Sequence, residues 1–193
     1  MNCVDLDLVQ EVKLLGTTIT NNFSWNKNTK ELVRKAFRRM QLLYKAASFT
    51  NSRQDLKSIY LTYIRSILEQ SAVVWHSSLT KKNRTDLERV QKAAIRVIMG
   101  KNYKTYRNGL KLLKIDSLNR RREKLCLTFA KNCTKNEKVK DIFPLKKKRH
   151  QMKKRKEKKF QTFKANTNRY KRSAVPYMRK LLNDDFQTKI SQQ

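Results

Sequence analysis

The chain has 193 residues and carries 47 Lys and Arg against 15 Asp and Glu, which gives a formal net charge of +32. No uncharged stretch is longer than residues 14–26, which is too short and too polar for a membrane span. A folded protein with this excess charge repels itself unless salt or a polyanion neutralises it. We therefore expect a nucleic-acid partner rather than a membrane or a small-molecule substrate.

The N-terminus and the cysteines indicate the cellular compartment. Residues 1–5 lack the basic and apolar blocks of a signal peptide. The three cysteines, Cys3, Cys126 and Cys133, form no CxxC pair, which disfavours a disulfide framework and a cysteine-based zinc site. We expect a reduced, soluble, intracellular protein, nuclear or cytoplasmic and not secreted.

The first twenty residues predict extended chain. Val4, Leu6 and Leu8 alternate with acidic residues, which is the period of a half-buried strand. A second β-favouring run covers residues 12–19 and contains Gly16, and a glycine inside a strand marks a bulge or a close backbone approach. The pattern predicts a short hairpin within residues 1–20.

Residues 21–145 show the three- and four-residue spacing of amphipathic helices. The first helix carries one apolar stripe, with basic residues on its other faces. The stripe comprises Leu32, Val33, Ala36, Phe37, Met40, Leu43, Tyr44 and Ala47. The four apolar residues 72–75 predict a buried segment that continues or follows the second helix.

Capping residues mark the ends of the next two helices. Ser52 is a candidate cap for a helix whose apolar positions run over residues 56–68. Thr80 or Asn83 caps the following helix, and Gly100 stands where a helix commonly ends.

Two further helices complete the predicted bundle of about five. One covers residues 106–113, and the other begins after Ser117 and runs to about Cys133, with Leu125, Phe129 and Ala130 facing inward. The two later cysteines share a face of this helix and suit small core positions.

The C-terminal part divides into a basic tail and a short helical segment. Residues 146–172 hold 14 basic residues and one acidic residue, so like charges repel along any helix and the tail is helical or disordered in part. Its stretch 146–159 also resembles a nuclear localisation signal. Residues 173–193 regain apolar residues and predict a short terminal helix. The predicted fold class is thus mainly α, with an N-terminal β-hairpin.

The residues needed for catalysis are scarce. Asp5 and Asp7 share a face of the predicted strand, but no further acidic cluster accompanies them as a Mg²⁺ site requires. His76 and His150 are the only histidines and lack zinc-ligand spacing. With three glycines the chain has no glycine-rich phosphate loop. We expect no enzyme activity, no cofactor and no metal.

Basic side chains beside the apolar stripes are candidates for phosphate contacts, because they project from helix faces that do not form the core. The candidates are Arg34, Lys35, Arg38 and Arg39; Arg89, Lys92 and Arg96; Arg120, Arg121, Arg122 and Lys124; and, in the tail, Lys147, Lys148, Arg149, Lys153, Lys154 and Arg155. Aromatic residues interleave with Lys and Arg as base-stacking side chains do, namely Tyr103, Tyr106, Phe160, Phe163 and Tyr170. Tyr103 and Tyr106 suit the core equally well.

The order of several sequence blocks resembles the C-terminal part of non-LTR retrotransposon reverse transcriptases, in particular those of jockey-like elements. The blocks are residues 12–16 (VKLLG), 23–25 (FSW), 59–69 (IYLTYIRSILE), 74–77 (VWHS), 87–100 (LERVQKAAIRVIMG), 121–125 (RREKL) and 169–183 (RYKRSAVPYMRKLLN). Together they span residues 12–183, and their order makes the resemblance more specific than any single block.

The resemblance implies roles for the blocks. Lys13, Leu14, Leu15 and Gly16 match the primer grip, a hairpin that holds the 3′ end of the primer. Leu14 stands at a position that is usually aromatic. Ser66 stands where Pro is frequent, and Gln70 where Tyr is common. Residues 21–145 would form the thumb, which tracks the minor groove of the template–primer duplex.

The resemblance also implies what this sequence does not contain. In the family the Mg²⁺-binding aspartates precede the primer grip on a Tyr/Phe-x-Asp-Asp strand of the palm, and residues 3–7 do not match that strand. The expected function is therefore that of a truncated, non-catalytic reverse-transcriptase region. It would bind RNA or an RNA–DNA template–primer through phosphates, without the palm and fingers of the parent enzyme.

Two alternatives remain open on the sequence. The chain is a transposon relic without a selected function, or it is an unrelated basic protein associated with chromatin or ribosomes. Flanking DNA distinguishes the first alternative, because an upstream frame that encodes the palm and is interrupted by stops favours a relic.

Overall fold

The structure, a computed structural model, describes residues 9–146, 159–162 and 164–190. Helices make up most of these residues, and a two-stranded antiparallel sheet precedes them. The mainly α fold with an N-terminal hairpin is therefore confirmed.

The chain divides into two compact units. Unit 1 comprises the residues up to Ser71 together with Leu79–Leu118, and unit 2 comprises Ala72–Ser78 together with the residues from Asn119 onward. The predicted helical domain 21–145 includes parts of both units, because the short segment 72–78 packs with residues that lie far along the chain.

The hairpin of unit 1 consists of β1 (Glu11–Leu14) and β2 (Thr17–Thr20). The two strands pair antiparallel, with Val12 opposite Ile19. β1 is exposed along its length, whereas Thr17 at the start of β2 is buried. The hairpin therefore leaves one strand on the surface.

A two-residue turn joins the strands. Leu15 and Gly16 have φ angles of +47° and +77°, and positive φ at both central positions defines the hairpin turn that matches strand twist. The side-chain amide of Gln70 donates a hydrogen bond to the carbonyl of Leu15 at 3.2 Å. A Cβ at Gly16 would collide with this amide, so the glycine is needed both for its φ and for the close approach.

The core of unit 1 lies between α1 (Asn26–Phe49) and α5 (Lys81–Met99). Both helices bury most of the stripe that their three- and four-residue spacing predicts. Phe37 and Tyr44 of α1 are exposed, so their predicted burial was wrong. The buried residues are Leu32, Ala36, Met40 and Leu43 on α1, and Leu87, Val90, Ala94 and Ile98 on α5.

The second predicted helix is continuous but not regular. It consists of α2 (Arg53–Ile59), a π-helical turn (Tyr60–Arg65) and α3 (Ser66–Glu69). Buried residues recur at four-residue spacing, at positions 56, 60, 64 and 68. On a helix of 3.6 residues per turn this spacing drifts around the axis, and the wider π-helical turn reduces the drift.

Helix ends follow the predicted capping residues. The hydroxyl of Ser52 accepts a hydrogen bond from the backbone N–H of Asp55 at 3.3 Å. The hydroxyl of Thr80 accepts one from the N–H of Asn83 at 3.1 Å, so Thr80 is the cap of α5. Gly100 ends α5 with a φ of +48°. Then α6 covers Tyr106–Leu113, as predicted.

Unit 2 contains α4 (Ala72–Trp75), most of α7 (Leu118–Lys135), α8 (Asn168–Lys171) and α9 (Ala174–Ile190). The residues 72–75 thus form a separate helix after Ser71, which has a φ of +51°. The core is formed by Cys126, Ala130, Cys133, Phe143, Phe160, Met178 and Leu182. Both cysteines are small core residues, as expected.

One predicted inward residue of α7 is on the surface. Phe129 is 45% exposed, whereas the neighbouring Ala130 is buried. Successive residues of an α-helix lie 100° apart, and the buried stripe of α7 passes through positions 126, 130 and 133. The inward placement predicted for Phe129 was wrong.

Candidate nucleic-acid interface

Packing of α1 against α5 directs the basic side chains of both helices away from the core. Arg34 and Arg38 of α1 lie four residues apart and are exposed, since the buried stripe occupies another face. Arg89 of α5 is also exposed. Among the described residues, Arg34 and Arg38 form no salt bridge, so their charge is available to a ligand.

Basic residues of the two helices meet at one groove in unit 1, which we call the α1/α5 groove. It has a volume of about 300 Å³ and is lined by Lys30, Arg34 and Phe37 of α1 and by Asp86 and Arg89 of α5. The structure therefore brings together two of the predicted cations, Arg34 and Arg89, whose positions in the sequence are more than fifty residues apart.

Polar contacts hold the two walls of the groove in place. The side-chain amide of Asn83 donates a hydrogen bond to the Oδ1 of Asn26 at 2.9 Å, which ties the first turns of α5 and α1 together. Arg89 lies 3.9 Å from Asp86 one turn earlier on α5. Most of the Arg89 side chain is exposed, so this ion pair contributes little to stability and leaves the guanidinium accessible.

A second group of cations lies near α6. The ammonium of Lys92 is 5.4 Å from the ring centre of Tyr106, and the guanidinium of Arg96 is 5.5 Å from that of Tyr103. Cations at these distances are attracted to the ring faces. Lys92 and Arg96 are exposed. Each therefore has a positive charge that a phosphate can reach and a contact with an aromatic ring.

The two tyrosines of this group have different environments. The hydroxyl of Tyr106 accepts a hydrogen bond from Gln91 at 3.0 Å and donates one to Glu88. Burial raises the pKa of Tyr106 well above its usual range, and the Glu88 carboxylate adds to the increase. Both tyrosines are half-buried: the hydroxyl of Tyr106 is held by Gln91 and Glu88, whereas Tyr103 lies beneath Arg96.

Arg39 and Lys35 lie elsewhere on α1. Arg39 donates a hydrogen bond from Nη1 to the carbonyl of Tyr63 at 3.1 Å, and its guanidinium lies 5.9 Å from the Tyr63 ring centre. Tyr63 is 52% exposed and belongs to the π-helical turn. Lys35 is half-buried, so it presents less of its side chain than Arg34 or Arg38.

The residues that match a primer grip lie at the free end of the hairpin. Lys13 and Leu14 are exposed on β1, and Leu15 is 87% exposed in the turn. A positive φ costs a leucine about 1 kcal/mol, because its Cβ crowds the backbone. The hairpin thus presents an apolar residue in a strained conformation at an accessible position.

In unit 2, one arginine of α7 is buried, whereas its basic neighbours are exposed or half-buried. Arg120 and Lys124 are exposed on α7 and Arg121 is half-buried, but Arg122 is fully buried. It lies on the stripe of Leu118, Cys126 and Ala130, four residues from the first two, so it faces the core. The assignment of Arg122 to the phosphate-facing set is corrected.

Buried Arg122 has aromatic and polar neighbours. Its guanidinium carbon lies 5.7 Å from the ring centre of Trp75, and its Nε donates a hydrogen bond to Nδ1 of His76 at 3.4 Å. Tyr177 contacts His76 edge-on, with ring centres 5.8 Å apart. His76 therefore has a structural setting rather than a catalytic one.

Two aromatic residues of the predicted basic tail, Phe160 and Tyr170, have different environments. Leu145 and Phe160 form an antiparallel bridge, and the backbone N–H of Phe160 donates to Oδ1 of Asn183 at 2.9 Å. Phe160 is buried in the core of unit 2, so its predicted role in base stacking is corrected, whereas Tyr170 is exposed.

Several predicted residues lie outside the described parts of the chain. They are Asp5, Asp7, Lys147, Lys148, Arg149, His150, Lys153, Lys154, Arg155 and Phe163.

The described residues hold no cluster of three metal-ligating side chains. Burial raises the pKa of the Cys126 thiol to about 11, with a further contribution from the Glu123 carboxylate, so this cysteine is a poor nucleophile at neutral pH. Within the same described ranges, no helix has the length and apolarity that crossing a bilayer requires.

Sequence reasoning missed the other lining residues of the α1/α5 groove, among them Lys30, Phe37, Thr29 and Asp86. Lys30 precedes Arg34 by four residues, a signal that the sequence contains. Phe37 was placed in the buried stripe of α1, but it is 45% exposed. Local spacing does not predict that Phe37 lines a groove together with residues of a second helix.

No known protein family, curated protein or solved structure matches this chain. Its function is therefore argued from the residues and the geometry above.

Proposed function

We propose that the protein binds RNA or an RNA–DNA duplex through its phosphates, as a non-catalytic region derived from a reverse transcriptase of a jockey-like retrotransposon. The observation that supports this most is the α1/α5 groove, which is lined by three cations, Lys30, Arg34 and Arg89, and by one carboxylate, that of Asp86. Each phosphate that a cation neutralises releases counterions, which favours binding at low salt.

The charge of unit 1 extends this argument beyond the groove. Its described residues, 9–71 and 79–118, hold 22 Lys and Arg against seven Asp and Glu. Several of the acidic residues are already engaged, because Glu11 pairs with Lys27 and Glu88 binds Tyr106. The surface of unit 1 therefore attracts polyanions over distances of about one Debye length.

The hairpin supports the relation to a primer grip. The block at residues 12–16 forms the end of β1 and the turn, and the strained Leu15 is kept exposed rather than packed. Strain at an accessible position points to a role in binding more than to one in folding. In this proposal the hairpin contacts the strand terminus and the cations contact its backbone.

The proposal includes no polymerase activity. In the family, nucleotide addition requires palm carboxylates that bind Mg²⁺, and this sequence does not contain the corresponding strand. Primer extension with Mg²⁺ and all four nucleotides is expected to give no product. Robust synthesis would contradict the assignment.

The direct test measures affinity against salt concentration for a 16-base-pair RNA–DNA hybrid, a DNA duplex and a single-stranded RNA. We expect log K to fall linearly with log salt for all three, with a slope of about −0.9 per phosphate contact on duplex DNA. The double variant Arg34→Gln/Arg89→Gln should reduce the magnitude of that slope by about 2.

A matched variant controls for net charge. Lys104→Gln/Lys111→Gln removes the same charge from exposed positions of unit 1 that lie outside the predicted contact set. The slope should stay close to that of the native chain. Equal effects of the two double variants would show that charge alone, and not the α1/α5 groove, governs binding; a salt-independent affinity would overturn the phosphate mechanism.

A further inference from the structure

The α1/α5 groove has features that phosphate binding does not require. Phe37 is an aromatic residue that is 45% exposed, and it lines a concave site between two helices rather than a flat surface. The volume of about 300 Å³ is at the lower end of the range for small-ligand pockets. Lys30 and Arg34 lie seven and three residues before Phe37, so cations and the ring share one side of α1.

A buried hydroxyl in the groove lacks a partner. Thr29 is 1% exposed and lines the groove, and its Oγ1 has no hydrogen-bond partner among the described residues. A buried polar atom without a partner destabilises the fold, because it has lost its hydrogen bonds to water. Such an atom in a concave site is accounted for if a ligand supplies the missing hydrogen bond.

The groove also contains one carboxylate, Asp86, which binding of phosphate alone does not require. Asp86 accepts hydrogen bonds and repels phosphate oxygens, whereas Arg89 next to it partly offsets its charge at 3.9 Å. Amino groups of nucleobases and ribose hydroxyls are donors that suit this carboxylate. Phosphates would then lie at Lys30 and Arg34, one turn apart along α1.

We propose that the α1/α5 groove holds one unpaired nucleotide of the bound strand, with its base against Phe37 and its phosphates at Lys30 and Arg34. This inference rests on the proposed function and adds a preference to it. A base in an intact duplex is stacked and paired, so only a single-stranded segment or end can offer its face to an aromatic side chain.

The test compares two single strands of twelve units: an RNA, and a strand of the same length whose units are all abasic. Phe37→Ala should weaken binding of the RNA by about 5- to 150-fold, the range for loss of one stacked base, and leave binding of the abasic strand unchanged. Because nearly half of Phe37 is exposed, the variant should fold, which circular dichroism checks.

Two matched variants isolate the ring and its position. Phe37→Trp keeps an aromatic face and should bind RNA within about 3-fold of the native chain. Phe49→Ala removes another aromatic residue of α1, one that is 89% exposed and not part of the groove, and should change neither affinity.

Thr29→Val probes the buried hydroxyl independently of the ring. The substitution removes an atom that has no partner in the free protein, so the thermal midpoint should stay the same or rise. RNA affinity should fall by about 2- to 10-fold, the loss typical of one hydrogen bond.

The outcomes separate this inference from the proposed function. If the native chain binds both strands with a salt slope but Phe37→Ala affects them equally, or not at all, the nucleotide pocket is overturned and phosphate binding stands. An effect of Phe49→Ala as large as that of Phe37→Ala overturns the pocket as well. If the native chain binds neither strand at low salt, the proposed function fails and the pocket fails with it.

Discussion

Helices α5 and α7 both carry basic clusters in the sequence, but the two clusters differ in whether all their cations are exposed. In α5 the cations Arg89, Lys92 and Arg96 are three and four residues apart and all are exposed. In α7 the residues 120–122 are three consecutive arginines, which cover 200° of the helix circumference. Of the three, Arg122 is the one that falls on the apolar stripe, and it is buried.

The difference shows that spacing decides the role of a cation more than cluster size does. Residues at helical spacing form a face that a ligand can reach, whereas one residue of a consecutive run falls on the apolar stripe. Arg122 lies four residues after Leu118 and four before Cys126, so it completes a buried stripe. Its guanidinium then contacts Trp75 and donates a hydrogen bond to His76 within the fold.

Arg122→Ala is the substitution with the largest expected effect, and it tests the difference between the cations of α5 and those of α7. We expect the free energy of unfolding to fall by about 3 kcal/mol, because the change leaves a cavity and removes the partner of buried His76. Urea unfolding followed by circular dichroism measures the loss. Arg89→Ala on α5 should cost less than about 0.5 kcal/mol. Similar costs for the two variants would mean that Arg122 is not a core residue.

A second substitution, at Gln91, tests the difference between the buried face and the exposed face of α5. Buried Gln91 accepts a hydrogen bond from the Tyr60 hydroxyl at 2.7 Å and donates one to the carbonyl of Asp116 at 2.9 Å. Gln91→Ala should lower the free energy of unfolding by about 2 kcal/mol, since it leaves these buried groups without that partner.

The neighbouring residue provides the control for Gln91. Lys92→Ala changes an exposed side chain one position along the same helix, so stability should change by less than about 0.5 kcal/mol. Salt-dependent binding should weaken instead. If Lys92→Ala were the more destabilising of the two, the division of α5 into a core face and a binding face would be wrong.

Leu15 is exposed, but its replacement should nevertheless change the free energy of unfolding. Leu15→Asn should raise the free energy of unfolding by about 1 kcal/mol, because asparagine tolerates positive φ and favours this two-residue turn. The same change at Leu14, on the exposed strand β1, should give no gain. Thermal unfolding of both variants measures the difference, and a loss of stability for Leu15→Asn would contradict the strain.

The smallest expected effect concerns an ion pair of α7. Lys131 lies 2.8 Å from Asp185 of α9, and this hydrogen bond holds the pKa of Asp185 below its usual range. The ionised carboxylate therefore stabilises the fold above the unfolded pKa of about 4, and this contribution disappears as the pH falls through the lower folded value.

Asp185→Asn should thus cost about 0.5 kcal/mol at pH 7, as expected for a partly exposed pair, and nothing at a pH below the lowered folded pKa. Urea unfolding at the two pH values measures it. Asp184→Asn changes the exposed neighbour and should have no effect at either pH. A cost of Asp185→Asn that persisted at low pH would show a contribution other than the ion pair.

Local features of the sequence determined much of the fold. Capping by Ser52 and Thr80, the end of α5 at Gly100 and the bounds of α6 follow from backbone hydrogen bonding at helix termini, which involves residues only three or four apart. The hairpin turn at Gly16 is likewise set by the φ angle that a glycine permits.

Tertiary structure alone decided the composition of the candidate site. The sequence identified Arg34 and Arg89 as cations, but only the packing of α1 on α5 brings them to one groove with Phe37. Packing also buried Phe160, which an interleaved pattern had assigned to stacking. Periodicity reports which face of a helix is apolar, whereas a groove depends on the distance and angle between two helices, which no local pattern contains.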